Sequence, residues 1–432
     1  MSDSTQGTGG RSNRRAIWSW CLYDWANSAF TTLVVTFIYS AYFANTFADD
    51  PGRGTALWSR GITASALLIA LLAPVAGALA DRGGRRRYLM LCSLVCVVTT
   101  AALTFVSPGQ PNAVLIALGV FVVANVAFEL GLVFYNAFLS TIAAPERIGR
   151  VSGYGWGLGY AGGLVALVLA LAVFVREPPL FGIPTAEGFN LRATNLLVAV
   201  WFLVFALPAF VFLRDESVSG DRVSVRRAFA DLATTARHLR RYRQIGLFLL
   251  ARLFYNDGLV TIFAFGGIYA VGTFGFSFEE LVTFGIILNV GAGLGALAFG
   301  FVDDRIGGKA TIGLSVAALA VATLIAALAP TRTWFWVSAI MVGVFIGPNQ
   351  SASRSLMARF VPRQHESEFF GFFAFSGKVT SFLGPALLGV LSDIYSQRVG
   401  VGSLLVFFVV GGLLLWRVDE REGIAAARAA RA

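Results

Sequence analysis

The chain has 432 residues, 56% of them hydrophobic and 13% charged, with a mean hydropathy of +0.72 and a formal net charge of +10. So few polar residues cannot cover the surface of a soluble protein of this length, which excludes an ordinary soluble enzyme or binding domain. The basic excess lies in short segments between apolar runs rather than in a basic domain, so it argues for membrane orientation and against nucleic-acid binding.

Residues 1–16, beginning "MSDSTQGTGGRSNRR", are polar and are expected to be disordered and cytoplasmic. The first apolar run, 17–46, carries Asp24 and has no small-residue cleavage site, so it reads as a retained helix rather than a signal peptide. Further runs follow at 57–80, 88–106, 113–142, 151–175 and 191–213, then at 244–274, 280–302, 309–329, 334–360, 371–395 and 400–416. A helix of about 20 apolar residues crosses the roughly 30 Å hydrocarbon core. The expectation is therefore an all-α integral membrane protein with twelve transmembrane helices. Between its halves, 17–213 and 244–416, lies a basic linker at 214–243, where Val225, Phe229, Leu232 and Leu239 recur at helical spacing. That pattern predicts a basic amphipathic helix on the inner leaflet. Residues 417–432 form the tail.

An even number of crossings puts both ends on one side, and the arginines say which. The ends, the central linker and alternate short loops hold Arg14, Arg15, Arg85, Arg86, Arg87, Arg147, Arg150, Arg359 and Arg363, among others. The opposite segments hold only Arg53, Arg60, Arg176, Arg192, Arg332 and Arg398. By the positive-inside rule both termini are cytoplasmic, in a cell membrane, with the bacterial inner membrane as the expected location. Cys21, Cys92 and Cys96 fall inside apolar runs, so neither a disulfide framework nor a zinc site is expected. No Walker motif and no metal-binding His set occurs, and no cofactor is expected. His238 and His365 both fall in cytoplasmic segments, which leaves carboxylates to carry any proton through the membrane.

An internal repeat divides the chain at the linker. "GALADRGGRRRYL" follows the second helix and "GFVDDRIGGKAT" the eighth, so Gly77, Asp81, Arg82, Gly84 and Arg86 align with Gly300, Asp304, Arg305, Gly307 and Lys309 at a constant offset. The two copies resemble the loop signature of the major facilitator superfamily. Gly77 and Gly300 allow close helix contact. Asp81 and Asp304 can meet the positive end of a neighbouring helix, and the basic residues can exchange partners, so the set reads as a conformational switch. The bland alternative is positive-inside anchoring. The likeness narrows further. "WCLYDWANSAF" (20–30), "FYNAFLSTIAAPERIGRVSGYGWGLGYAGG" (134–163), "QSASRSLMARFVP" (350–362) and "EFFGFFAFSGK" (368–378) resemble a bacterial group of unassigned major facilitators related to the fungal vacuolar amino-acid effluxers of autophagy. The resemblance implies two pseudo-symmetric six-helix halves, with the first, fourth, seventh and tenth helices lining a cavity. It also implies a proton- or gradient-coupled carrier, with amino acids as the substrate class to test first.

A charge near the centre of a membrane helix costs roughly 2.5–3.5 kcal/mol on insertion scales. Asp24, Glu129, Arg252, Asp257, Arg354 and Lys378 therefore need reasons, and all but Lys378 fall on the four cavity helices. With Asn27, Asn136, Asn256 and Gln350 they form the candidate substrate-binding or coupling set. Arg354 and Lys378 could instead snorkel to the interface, and the amides could pair helices. "GYGWGLGYAGG" has no preceding strand, so Gly155, Gly159 and Gly163 read as a packing stripe rather than a phosphate loop. Balanced acids and bases suit a small zwitterion, moved by alternating access in a carrier that works as a monomer. A drug, peptide or organic-anion carrier of the same fold is the alternative. A membrane enzyme lacks its catalytic constellation, and a non-transporting sensor lacks a signalling domain.

Overall fold

The computed structural model describes residues 9–215 and 242–430, and among these every regular element is helical. In the first half, α1 (Gly9–Ala29) continues through a π-helical stretch, Phe30–Phe37, into α2 (Tyr39–Thr46). Then come α3 (Pro51–Gly83), α4 (Arg85–Leu103), α5 (Ala113–Ala137) with its short extension α6 (Leu139–Ile142), α7 (Ile148–Ala170) and α8 (Phe189–Phe212). The second half holds α9 (Arg243–Phe274), α10 (Phe278–Ile306), α11 (Gly308–Leu328), α12 (Arg332–Phe360), α13 (Glu366–Lys378), α14 (Leu383–Ile394), α15 (Gln397–Ser403) and α16 (Leu405–Trp416), and α17 (Glu420–Ala429) closes the chain.

Ten helical stretches among the described residues are long and apolar enough to cross a membrane. The two remaining passes, α1 with its continuation and α12, are long enough but too polar, because they carry Asp24 and Asn27 on one and Asn349, Gln350 and Arg354 on the other. Together the passes match the twelve-helix pattern. Outward-facing Leu67, Leu71, Leu91, Val98 and Leu115 are exposed, as a lipid-facing surface requires.

Two local differences from the expected boundaries have physical causes. Residues 9–16, expected to be disordered, form the first turns of α1, a helix propagated backward from the apolar run that follows them. The helix expected over 371–395 begins at Glu366 and is divided into α13 and α14 by a turn at 379–382. Pro385 has no N–H to offer the Ser381 carbonyl one turn back, so the regular ladder cannot run through. The amphipathic helix expected within 214–243, with Val225, Phe229, Leu232 and Leu239, lies outside the described residues.

The halves meet through two equivalent helix pairs, α3 with α13 and α7 with α10. Glycine permits both. A Cβ on Gly77 would sit 2.1 Å from the Ser367 carbonyl oxygen, and one on Gly300 2.9 Å from Arg150 Cα. Within the first half, Gly155, Gly159 and Gly163 of α7 face Asp24, Ser28 and Thr32 of the first pass, so the stripe is a packing surface.

Candidate transport site and inner gate

The repeated loop builds a pair of reciprocal helix caps. Asp81, in the last turns of α3, accepts the backbone N–H groups of Ser367 (2.8 Å) and Glu368 (2.9 Å) in the first turn of α13. Asp304, in the last turns of α10, accepts the N–H groups of Gly149 (2.8 Å) and Arg150 (3.3 Å) in the first turn of α7, and the Arg150 Nε–H at 2.6 Å. Each half thus caps a helix of the other, placing negative charge at a positive helix end. Buried ion pairs flank both caps. Arg85 pairs with Glu366, which also accepts the Ser140 hydroxyl at 2.6 Å. Arg359 pairs with Asp303 and lies 3.4 Å from Asp304.

The other repeated residues sit beside the caps. Gly84 and Gly307 have φ of +91° and +94°, which lets α3 turn into α4 and α10 into α11 within one residue. Arg86 and Lys309 contribute backbone N–H groups, accepted by Asp215 (3.3 Å) and Glu420 (3.0 Å), and Lys309 Nζ donates to the Trp416 carbonyl. Arg82 and Arg305 occupy the last turns of α3 and α10, where cations oppose the negative helix end. Arg85, pairing with Glu366, and Arg150, pairing with Asp304, join the halves, whereas Arg359 pairs with Asp303 within the second half.

Deeper in the membrane, two ion pairs cross between the halves. Arg354 Nη1 of α12 lies 3.0 Å from Asp24 Oδ2 of α1, with side chains 4% and 11% exposed. The same guanidinium donates to Ser152 Oγ (3.0 Å), the Ser152 carbonyl (2.8 Å) and Asn136 Oδ1 (3.4 Å). It stands over the rings of Trp20, Trp156 and Tyr135 at 4.6, 5.4 and 5.7 Å. Asn27 Nδ2 donates to Asp24 Oδ1 at 3.4 Å. The second pair joins Lys378 Nζ at the end of α13 to Glu129 Oε1 of α5 at 2.6 Å, and it is more open, at 30% and 19% exposed. Tyr160 donates its hydroxyl to Gln350 Oε1 at 2.6 Å and Ser152 to the Ser351 carbonyl at 2.8 Å, further polar links between the halves.

Arg252, Asn256 and Asp257 form a separate group on α9, around the turn between α13 and α14. Arg252 Nη1 donates to the Phe373 carbonyl (2.7 Å) and Ser376 Oγ (2.9 Å), with its guanidinium 3.6 Å from the Phe373 ring centroid. Asn256 donates to the Gly377 carbonyl at 3.3 Å, and Asp257 Oδ2 accepts the Gly384 N–H at 3.3 Å. A cation and an amide thus meet the C-terminal end of α13, while a carboxylate meets the N-terminal end of α14.

At the end opposite the caps the polar links among the described residues run within each half. Tyr42 donates to the Glu187 carbonyl (2.7 Å) and Arg192 to that of Thr104 (3.2 Å). Thr273 donates to Gln397 (2.7 Å) and Arg332 to the Gly275 carbonyl (2.8 Å). The halves are therefore held together at the arginine-rich end and through the middle. Sequence reasoning had missed Tyr135, Ser152 and Tyr160 around the central pair, and Arg85, Asp303, Arg359 and Glu366 beside the caps. Trp20, one helical turn before Asp24, was the one legible signal, since it shares that residue's helix face.

Two helical halves joined by reciprocal caps, with ion pairs crossing the membrane interior between them, define a transporter of the major facilitator superfamily. Solved structures agree on the fold. The human organic anion transporter MFSD10 superposes with a TM-score of 0.74 at 15% identity, covering 93% of this chain and 99% of that one. The major facilitator FucP in its outward conformation gives 0.75 at 13% identity, covering 95% and 100%. The proton:xylose symporter XylE gives 0.72 at 13%, covering 97% and 99%. The chain belongs to the family described as vacuole effluxer Atg22 like, which matches residues 54–428. An uncharacterized MFS-type transporter of Bacillus subtilis strain 168, YxiO, is 29% identical over 408 residues, covering 93% of this chain and 94% of that protein. Autophagy-related protein 22 of Cryptococcus neoformans is 28% identical over 305 residues, covering 63% of this chain and 53% of that protein, so the chain spans about half the length of this fungal relative.

Proposed function

We propose that this transporter is a secondary carrier that moves a small zwitterion, an amino acid being the first candidate, by alternating access driven by a proton gradient. The observation that carries this reading is that Asp24–Arg354 and Glu129–Lys378 each place one member in each half. Such pairs hold the halves together only while no competing charges are present. A solute carboxylate can take over Arg354 or Lys378, and its ammonium the carboxylate that is released. A neutral solute offers neither exchange. A simple organic anion would replace only one member of a pair and leave the other carboxylate buried and unpaired, at a cost of several kcal/mol. The family's description as vacuole effluxers supports a carrier, and a proton:xylose symporter among the structures of the same fold supports the proton as the driving ion.

In this reading the arginine-rich end is cytoplasmic, with both termini, and the caps of Asp81 and Asp304 form an inner gate closed beneath an outward-facing site. The carrier works as a monomer in the cell membrane, and no enzymatic step is part of its cycle. The test is reconstitution in proteoliposomes with a panel of labelled amino acids, peptides, sugars and organic anions under an imposed pH gradient. Gradient-stimulated uptake of a zwitterionic amino acid, lost in Arg354→Gln, is the expected result. Uptake of organic anions with no response to amino acids would replace the zwitterion by an anion.

A further inference from the structure

Of the three carboxylates placed deep in the membrane segments among the described residues, Asp24 and Glu129 have cationic partners and Asp257 has none. Asp257 is 1% exposed. Its Oδ2 accepts the Gly384 N–H at 3.3 Å, and its Oδ1 has no hydrogen-bond partner. The charged groups on the elements packed against it are engaged or remote. Arg252, on its own helix, is turned to the Phe373 carbonyl and Ser376, and Tyr255 shares a hydrogen bond with Ser353. Lys378 of α13 is paired with Glu129, and Arg354 of α12 with Asp24. On α10, Glu279, Glu280, Asp303, Asp304 and Arg305 sit in the first and last turns, and Asp393 is next to last in α14. Arg398 of α15 donates to the carbonyls of Ala327 and Ala329, and the charges of α17 lie at the inner end, while α16 presents Phe407 and Phe408. An ionised carboxylate left this way keeps the Gly384 N–H at the start of α14 but has no counter-charge for its desolvation.

The surroundings supply oxygen. A Cβ on Gly384 would lie 2.1 Å from Thr261 Oγ1, 3.1 Å from Asp257 Oδ1 and 3.2 Å from the Asp257 carbonyl oxygen, so three oxygens of α9 converge on the start of α14 where only glycine leaves room. The turn at 379–382 adds backbone. Pro385 has no N–H for the Ser381 carbonyl, and the Gly384 N–H is turned to Asp257. Interrupted membrane helices beside a buried acid are a recurrent way of holding Na⁺ or H⁺ in carriers.

We infer that Asp257 and Thr261, at the interruption between α13 and α14, form a site for a small monovalent cation, Na⁺ or H⁺. One carboxylate balances one charge, and the Thr261 hydroxyl, which donates to the Asp257 carbonyl at 2.7 Å, turns its lone pairs to the same place, so the oxygens suit a hard ion. The site rests on the carrier reading above and supplies its coupling ion, separately from the two ion pairs that meet the solute.

Carbodiimide labelling of the wild-type, full-length protein in detergent tests it, because the reagent attacks protonated carboxyls in apolar surroundings and peptide mass spectrometry places the adduct. Labelling at Asp257 should fall at least fivefold as pH rises if the site takes H⁺. It should fall as far on replacing choline with Na⁺ at fixed pH and ionic strength if the site takes Na⁺. Absence of labelling, or labelling indifferent to both ions, overturns the site. Melting followed by tryptophan fluorescence gives a second readout: the ion that occupies the site, H⁺ on lowering the pH or Na⁺ in place of choline, should raise Tm by a few degrees, and Asp257→Asn should lose that response while Asp24→Asn keeps it. A response preserved in Asp257→Asn overturns the assignment. Neither readout involves transport, so a carrier coupled elsewhere would still take up solute in proteoliposomes while failing both.

Discussion

Asp24 Oδ2 and Arg354 Nη1 lie 3.0 Å apart although 330 residues separate them in the chain, and they sit on the two passes too polar to meet the hydropathy of a membrane span. The polarity of α1 and α12 is thus local and mutual. Each helix is tolerated in lipid because the other neutralises it. Removing one partner leaves a buried charge, which costs about 3–5 kcal/mol. Arg354→Gln should therefore lower Tm markedly and abolish uptake. Asp24→Asn combined with Arg354→Gln should regain most of the stability but none of the transport. Thermal melts alongside proteoliposome uptake separate the two effects, and recovery of uptake by the double variant would remove the pair from the solute path.

Gly155 is the backbone side of that pair. A Cβ there would lie 2.6 Å from Asp24 Oδ2, 2.8 Å from Arg354 Nη2 and 2.8 Å from the Trp20 ring. The rings and the guanidinium are packed on all sides, so a methyl group cannot be absorbed without moving the pair. Gly155→Ala should cut uptake at least tenfold and cost about 1–3 kcal/mol, the usual penalty of overpacking. Gly119→Ala, where nothing lies within 4 Å of the added carbon, is the control and should behave as wild type.

How much of this was legible beforehand follows the range of each interaction. Apolar run length and arginine placement are local properties, so the helical passes and the two halves could be read directly. The repeated Asp81 and Asp304 were legible because the sequence aligns them with each other. Which arginine serves each gate was not, because Arg85 stands in a run with Arg86 and Arg87, and helix rotation decides which of them meets Glu366. The membrane charges could be singled out one at a time, since each is costly alone. Their partners could not, because the Glu129–Lys378 contact joins different halves. Arg252, Asn256 and Asp257 were grouped with the cavity residues on helix number alone. They fall instead on the interruption after α13, which depends on where Pro385 meets α9.

The reciprocal caps predict a shift in conformation rather than in affinity. Asp81→Ala and Asp304→Ala each remove a capping carboxylate that joins the halves, worth about 1 kcal/mol for an ordinary cap. The loss would weigh only on the state closed at the arginine-rich end. Each variant should raise the population open at that end about fivefold, and the double variant more than either. Ser140→Cys, in a background lacking Cys21, Cys92 and Cys96, reports this as faster labelling by a membrane-impermeant thiol reagent applied to inside-out vesicles, since Ser140 is held against Glu366 while the gate is shut. Unchanged labelling in folded protein would reduce the caps to static packing.

The more open pair, Glu129 with Lys378, distinguishes a latch from a solute site. If the contact only ties α5 to α13, exchanging the residues as Glu129→Lys with Lys378→Glu restores the attraction and with it transport. If solute charges take over the pair, the exchange puts the carboxylate and the ammonium on the wrong halves, and the solute cannot bind in its usual orientation. The zwitterion reading predicts the second outcome. Each single variant should be destabilised by like-charge contact, and the exchange should return Tm to within a few degrees of wild type, while uptake stays below a tenth. Substrate-induced protection of Tm should be lost in the same protein, because the solute's two charges then face like charges at positions 129 and 378. Full uptake by the exchanged variant would make Glu129–Lys378 a latch and leave recognition to Asp24, Arg354 and the aromatic rings around them.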